Sequence, residues 1–488
     1  MADVSEPKLR IGVLSDIHIT DDASTAILRT AFEWFRDRHV DGVLIAGDMA
    51  DQGRLDQLLR VRKTWDAVFP GDRLPEGGKV EKLFVYGNHD VAGWEYNSAA
   101  FRKAHPELFA PSNNIGADRA GAWRKAWDED YAPIYLKRVK GFAFVGAHFE
   151  SWKVQHIPGL DQFLADHAGE LQGPQPFFYF QHMHPKGTCS APWTWGQDDG
   201  QVTRALSKFP NCVALSGHSH TSLTDDRTIR QGDFGFTSVG TASLRYIIPF
   251  GGRENTVPFG SRMAPKSDKQ MPNLTRESYK SHHGLVASVY DDRIVLERYD
   301  FETLKKLADD WTVPLGDYGA LSYERRAKSA AVPEFPAGAK ATVSEGEGKT
   351  MRGRTSRQVT VEFPTIPGDG QHPRAFDYEV TARFTEADLD KVAVQKRVFA
   401  YSLFRPAEDE EKTATCAFSR EELPWDATVR FEIRPLNCFG GRGAPIHATH
   451  VIESEKTLAK KRAKAKRKAK KDKKAKAKKA KATAKKEV

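Results

Sequence analysis

Cysteine is scarce in this sequence. Four occur in 488 residues, Cys189, Cys212, Cys416 and Cys438, widely spaced and with no CxxC pair. That pattern excludes the disulfide framework of a small secreted domain, and four reduced thiols packed as small hydrophobes are expected. Long apolar runs are also missing, since none approaches the roughly 18–20 residues of a membrane span. The opening MADVSEPKLRIGVLSD has no apolar signal-peptide core and runs straight into a strand-like segment, so a cytoplasmic location is expected. Acidic residues are nearly absent from one place. Residues 456–488 hold 18 Lys/Arg and 2 Asp/Glu, a net +16; the whole chain is +9, which leaves −7 on residues 1–455. The basic character therefore belongs to the tail alone.

The apolar content of 40% suffices for real cores, and the length is that of about two to four domains. From residue 9 to about 300, strands alternate with helices. LRIGVLSD, GVLIAGD and KLFVYGNHD read as strands with polar ends, and the helical repeats STAILRTAFEWFRDR and LDQLLRVRKTWDAVF lie between them. Further strands are IYLKRVK, GFAFVGAHF, PFFYFQH and NCVALSGH. HGLVASVY and RIVLERYDF form a hairpin about Asp291-Asp292. An α/β layered core with mixed sheets follows. Two aromatic-rich insertions, 91–131 with Trp94, Tyr96, Phe101, Trp123, Trp127 and Tyr131, and 185–200 with Trp193 and Trp195, follow strand ends. They are either a lid over a ligand or loops with small cores of their own.

The polar strand ends form a set: Asp16-Ile17-His18, Gly47-Asp48-Met49-Ala50-Asp51, Gly87-Asn88-His89-Asp90, His182, and Gly217-His218-Ser219-His220. Alternate residues of an extended segment point the same way, so Asp16 with His18, and His218 with His220, are expected to face one point. Hard oxygen and imidazole without thiolate suit catalytic Mn, Fe, Zn, Co or Ni. The donors outnumber what one ion needs, and two ions sharing a carboxylate are the natural solution. His148 reads as a structural histidine, and Asp90 as a residue that positions its loop.

With D-x-H, G-D-x-x-D, G-N-H-D, H and G-H-x-H in order, the sequence over residues 9 to about 300 resembles the calcineurin-like metallophosphoesterases. The resemblance implies a four-layer α/β/β/α sandwich and two divalent or mixed-valence transition-metal ions. Asp16, His18, Asp48 and His220 would hold one ion. Asp48, Asn88, His182 and His218 would hold the other, with His184 as the alternative to His182. A hydroxide bridging the ions would attack a phosphodiester or phosphomonoester in line. His89 would assist the leaving group, and Asp51 would support His89.

The expected organisation is a catalytic domain at 1–305, a linker at 306–332, and a small all-β sandwich at 333–453. A disordered Lys/Ala tail with transient helix follows at 454–488. TVRFEIRPLNCFGGRGAPI resembles the last strand pair of a fibronectin type III domain, with AFDYEVTARF expected to pack opposite. The tail would attract nucleic acid or another polyanion without sequence specificity. The expected function is a phosphoesterase. The alternatives are a nuclease served by the tail, and a polyanion-binding scaffold, against which the intact ligand set argues.

Overall fold

The computed structural model describes residues 6–152, 156–189, 196–248, 277–349, 355–366, 368, 373–406 and 412–484. The first half runs β1 (Leu9–Leu14), α1 (Asp22–Asp37), β2 (Gly42–Ala46), α2 (Leu55–Val68), β3 (Glu81–Val85), α3 (Asn88–Tyr96), α4 (Ala99–Ala104), α5 (Arg119–Trp127), β4 (Ile134–Val139) and β5 (Phe142–Ala147). It continues through α6 (Leu160–Asp166), α7 (Ala168–Leu171), β6 (Phe177–Gln181), α8 (Gln201–Leu206), β7 (Cys212–Ser216), β8 (Ile229–Gln231) and β9 (Thr237–Gly240). Then come β10 (His283–Val289), β11 (Arg293–Asp300), β12 (Lys305–Lys306), β13 (Trp311–Pro314) and α9 (Tyr323–Ser329).

Two mixed sheets result. One has the order β12-β11-β10-β1-β2-β3, with β13 also on β11; the other is β4-β5-β6-β7-β9-β8. Strands β1, β2 and β3 are parallel, as are β5, β6, β7 and β9. The pleat sorts the side chains. Leu44 and Ala46 of β2 join Leu9, Ile11, Phe144, Phe178 and Val213 between the sheets, whereas Val43 and Ile45 meet Leu28, Phe32, Leu58 and Trp65 of α1 and α2 outside. On the far face, Leu160, Leu164, Val202 and Leu206 cover Val145, Tyr179 and Ala214. The four layers are therefore helix, sheet, sheet, helix.

Two expectations need adjustment here. Strands β12 and β13 extend the first sheet to Pro314, past the expected boundary at 305, because Trp311 and Val313 alternate into the core. Residues 91–131 are largely helical, and Trp123, Trp127 and Ile115 complete the core over α2 and β3. Trp193 and Trp195 lie outside the described residues.

The C-terminal half is β14 (Thr342–Lys349), β15 (Thr355–Pro364), β16 (Asp377–Glu386), β17 (Leu389–Phe399), β18 (Thr413–Ser419), β19 (Ala427–Leu436) and β20 (Ile446–Ile452). A three-stranded sheet, β14-β15-β18, packs on a four-stranded one, β17-β16-β19-β20. The strand AFDYEVTARF does not oppose the last pair. As β16 it hydrogen-bonds edge to edge with β19 in the same sheet, and its Tyr378 and Val380 supply the inner face.

The tail carries the expected helical propensity as α10 (Glu455–Ala484). Ala and Lys are strong helix formers, and that propensity needs no core. All four cysteines are free and buried. Among the described residues no helix is long and apolar enough to cross a membrane.

Candidate metal centre

The ligand-type residues collect where the C-terminal ends of β1, β2 and β3 meet those of β6 and β7. The backbone there is not extended. Asp16, His18, Asp48, His218 and His220 all have positive φ, from 43° to 71°. These left-handed turns, and not the pleat, bring each pair to a common point. The conformation costs a non-glycine residue on the order of 1–2 kcal/mol, and neighbouring strand ends hold it. The amide of Asp16 donates to the Gly47 carbonyl at 3.1 Å, and that of His18 to the Asp48 carbonyl at 3.0 Å. Asp90 accepts the amide hydrogens of Met49, Ala50 and Gly87, so it does position its loop. Gly217 is required by close approach, since a Cβ there would collide with Ser15 Oγ and Asp16 Oδ2.

Two donor groups lie side by side, Asp16/His18/His220 and Asp48/His182/His218. His220 Nε2 is 3.0 Å from Asp16 Oδ1 and 3.2 Å from His18 Nε2. His182 Nε2 is 3.0 Å from Asp48 Oδ2 and 3.1 Å from His218 Nδ1. Asp48 Oδ2 is also 3.6 Å from His18 Nε2, which places it between the groups. The outer ring nitrogens are committed. His182 Nδ1 donates to the Ala46 carbonyl at 2.8 Å, His220 Nδ1 to the Tyr246 carbonyl at 2.9 Å, and His18 Nδ1 lies 3.0 Å from Asp51 Oδ1. This fixes the tautomers so that Nε2 is presented inward. His184 is different: its two nitrogens are taken by Ser216 and Ser219 at 2.7 and 2.6 Å. The structure thus brings His182, and not His184, into the cluster.

The donor set suits metal ions on two counts. Asn88 Oδ1 is a buried oxygen without a hydrogen bond, an expensive state unless a cation satisfies it, and Asp16 Oδ1 is met by the His220 imidazole at 3.0 Å. The carboxylates also demand positive charge. Burial alone would raise Asp16 and Asp48, yet His220 and His182 for the first, and His182 and His89 for the second, hold both below the ordinary range. In exchange, and against burial, His18 rises to about 10 and His182 to about 9. Without ions, protons on imidazoles do what two cations would do.

His89 stands beside the cluster, its ring centroid 4.5 Å from that of His18. Its backbone N–H donates to Asp48 Oδ1 at 2.7 Å, and its Nδ1 donates to the Asp51 carbonyl at 2.7 Å. The Asp51 carboxylate is 3.7 Å from His89 Nδ1 and closer to His18. Asp51 therefore meets His89 through its main chain and His18 through its side chain. His148 lies away from the donors and accepts the Tyr86 amide hydrogen at 2.9 Å.

Some contributors were not read from the sequence. Ser15 binds Asp16 Oδ2, and Ser243 donates to the Asp16 carbonyl at 3.0 Å. Tyr96 and Trp152 meet over Asn88, and Tyr246 lies against His220. Aromatic clusters hinted at Tyr96, whereas no local signal singles out the serines.

Residues 9–222 match the model of the calcineurin-like phosphoesterase family. No curated protein matches the chain. Among solved structures, a dimetal phosphatase from Danio rerio aligns over 64% of this chain and 100% of its own, at 15% identity and a TM-score of 0.39. The purple acid phosphatase PPD1 from yellow lupin (Lupinus luteus) aligns over 63% of this chain and 53% of its own, at 13% identity and a TM-score of 0.39. The FN1–FN3 domains of chicken CNTN1 align over 39% of this chain and 46% of theirs, at 11% identity and a TM-score of 0.18.

Proposed function

From a chain whose residues 9–222 carry the calcineurin-like phosphoesterase signature, we propose a metal-dependent hydrolase of phosphodiesters or phosphomonoesters. The observation that carries this reading is the pair of adjoining donor groups with Asp48 between them. Asp16, His18, Asp48 and His220 would hold one transition-metal ion, and Asp48, Asn88, His182 and His218 the other. When bound, such a pair neutralises phosphoryl charge and makes a nucleophile from water near neutral pH. The chain's own residues do the rest. With Nδ1 donating to the Asp51 carbonyl, His89 keeps Nε2 for the leaving oxygen; proton donation from Nε2 requires the doubly protonated ring, which burial opposes and the charge of Asp48 favours. Asp51 orients His18, and Asp90 holds the loops that carry Asp48 and Asn88 in register.

The test is metal analysis of the purified protein, paired with turnover of bis-p-nitrophenyl phosphate and p-nitrophenyl phosphate under added Mn²⁺. Two ions per chain are expected, with Asp48→Asn lowering kcat/KM by roughly 100-fold or more. The ratio of the two rates ranks diester against monoester. No bound metal and no turnover with any divalent ion would overturn the reading. If Asn88→Ala and His89→Ala left cellular function intact, a non-catalytic scaffold would be favoured instead.

A second reading rests on charge: +16 in residues 456–488 beside −7 in the rest. In that reading the enzyme is a nuclease whose tail holds its nucleic acid. Truncation after Glu455 decides. A nuclease loses affinity for duplex DNA and the salt dependence of binding, whereas an enzyme for small esters keeps its kcat/KM.

A further inference from the structure

We propose that Tyr96 is a positioning residue for the second metal site, holding the Asn88 amide so that Oδ1 is presented to the ion. This rests on the two-metal reading above. Asn88 opens α3 and Tyr96 closes it. Side chains on a helix lean toward its N-terminus, and that lean returns the Tyr96 hydroxyl to Asn88, whose Nδ2 donates to it at 3.0 Å. The same hydroxyl accepts the Trp152 indole N–H at 2.7 Å. Trp152 in turn lies 5.8 Å, ring to ring, from His218, a ligand for the same ion.

An asparagine is a metal ligand only through its oxygen, and its two amide arms are nearly the same shape. Something must choose between them. Asn88 Oδ1 is buried and has no hydrogen bond, while Nδ2 is anchored. Tyr96 therefore supplies the choice. Its ring also rests on His89, centroids 4.8 Å apart, so removing the hydroxyl alone leaves the aromatic packing in place.

Tyr96→Phe is the test, read by calorimetric titration of the metal-free protein with Mn²⁺ and Zn²⁺. The expected result is a loss of about 10-fold in affinity at one of two sites, with the other site and the melting temperature of the metal-free protein unchanged. Asn88→Asp offers oxygen on both arms and needs no orientation. In that background Tyr96→Phe should change affinity less than about 2-fold, a non-additivity that marks coupling through residue 88. Wild-type affinity at both sites in Tyr96→Phe would overturn the proposal. So would an equal loss with and without Asn88→Asp, or a loss at both sites together with a lowered melting temperature. Failure of the two-metal reading looks different, because wild-type protein would then bind no second ion.

Discussion

His148 and His283 are buried histidines outside the donor groups, and burial gives them a measurable cost in acid. His148 sits among the rings of Tyr86, Trp123 and Tyr131, and burial, followed by the charge of Arg119, pushes it down to about 3. His283 donates from Nε2 to the Phe404 carbonyl at 3.2 Å, and burial likewise brings it to about 3. In the unfolded chain both titrate near ~6.5. As pH falls, the unfolded state takes the proton first. Their neutral-state stability is complete above ~6.5 and is lost progressively toward pH 3. Each histidine should remove roughly 3 kcal/mol by pH 4.5, at about 1.4 kcal/mol per pH unit. Urea unfolding at pH 7 and 4.5 checks this: His148→Gln should shrink the pH-dependent loss by about that amount, and an unchanged loss would refute the assignment. At this scale the cluster of donor-type side chains was legible because few residue types could hold a metal ion and their spacing is short. Ser15 and Trp152 were not, and Tyr96 showed only as one aromatic of an insertion, because each matters through a neighbour brought close by the fold.

Elements differ in how much of themselves they disclose. Strands β1, β2 and β3 were readable since each alternates between two apolar environments. Helices α1 and α2 were readable since Leu28, Phe32 and Phe35, then Leu58, Val61 and Trp65, recur on one buried face. Helix α4 buries nothing and so has no period to detect. Helix α3 begins with the residues of the site, and Gly93 within it packs against Gln52 and Gly53. The bends after β1, β2 and β7 were misjudged for a physical reason. Left-handed backbone at Asp16, His18, Asp48, His218 and His220 is a minority conformation even for Asp and His, which adopt it more readily than most residues. Local sequence therefore pointed to extended chain, and inter-strand hydrogen bonds with buried charge override it. The strain thus gathers on side chains that could hold a metal ion.

At the scale of the whole molecule, the β-sandwich is fastened to the α/β layers by the short segment that follows β17. Residues 401–405 leave β17 and enter the other half of the protein. Leu403 and Phe404 join the core between the sheets. The Leu403 carbonyl accepts from Ser222 Oγ at 2.6 Å and Thr224 Oγ1 at 3.2 Å, just beyond the G-H-x-H turn. Arg405 is buried against Asp300 at 3.4 Å and Glu277 at 3.5 Å. Such a docking segment follows neither a helical nor a strand period, which is why the two halves were legible and their junction was not. Asp300 is fully buried, and its remaining partners are the amides of His282 and Glu302 and the Thr303 hydroxyl. Removing one member of a buried ion pair strands the other, at about 3 kcal/mol or more. Arg405→Met is therefore expected to lower unfolding stability by about that much while metal binding by the folded protein persists. Pairing it with Asp300→Asn should recover most of the loss, because the stranded charge is gone and the amide still meets its donors and acceptors in part. A loss below ~1 kcal/mol in Arg405→Met would mean that the amides and Thr303 neutralise Asp300 unaided, and that the sandwich is held in place without this ion pair.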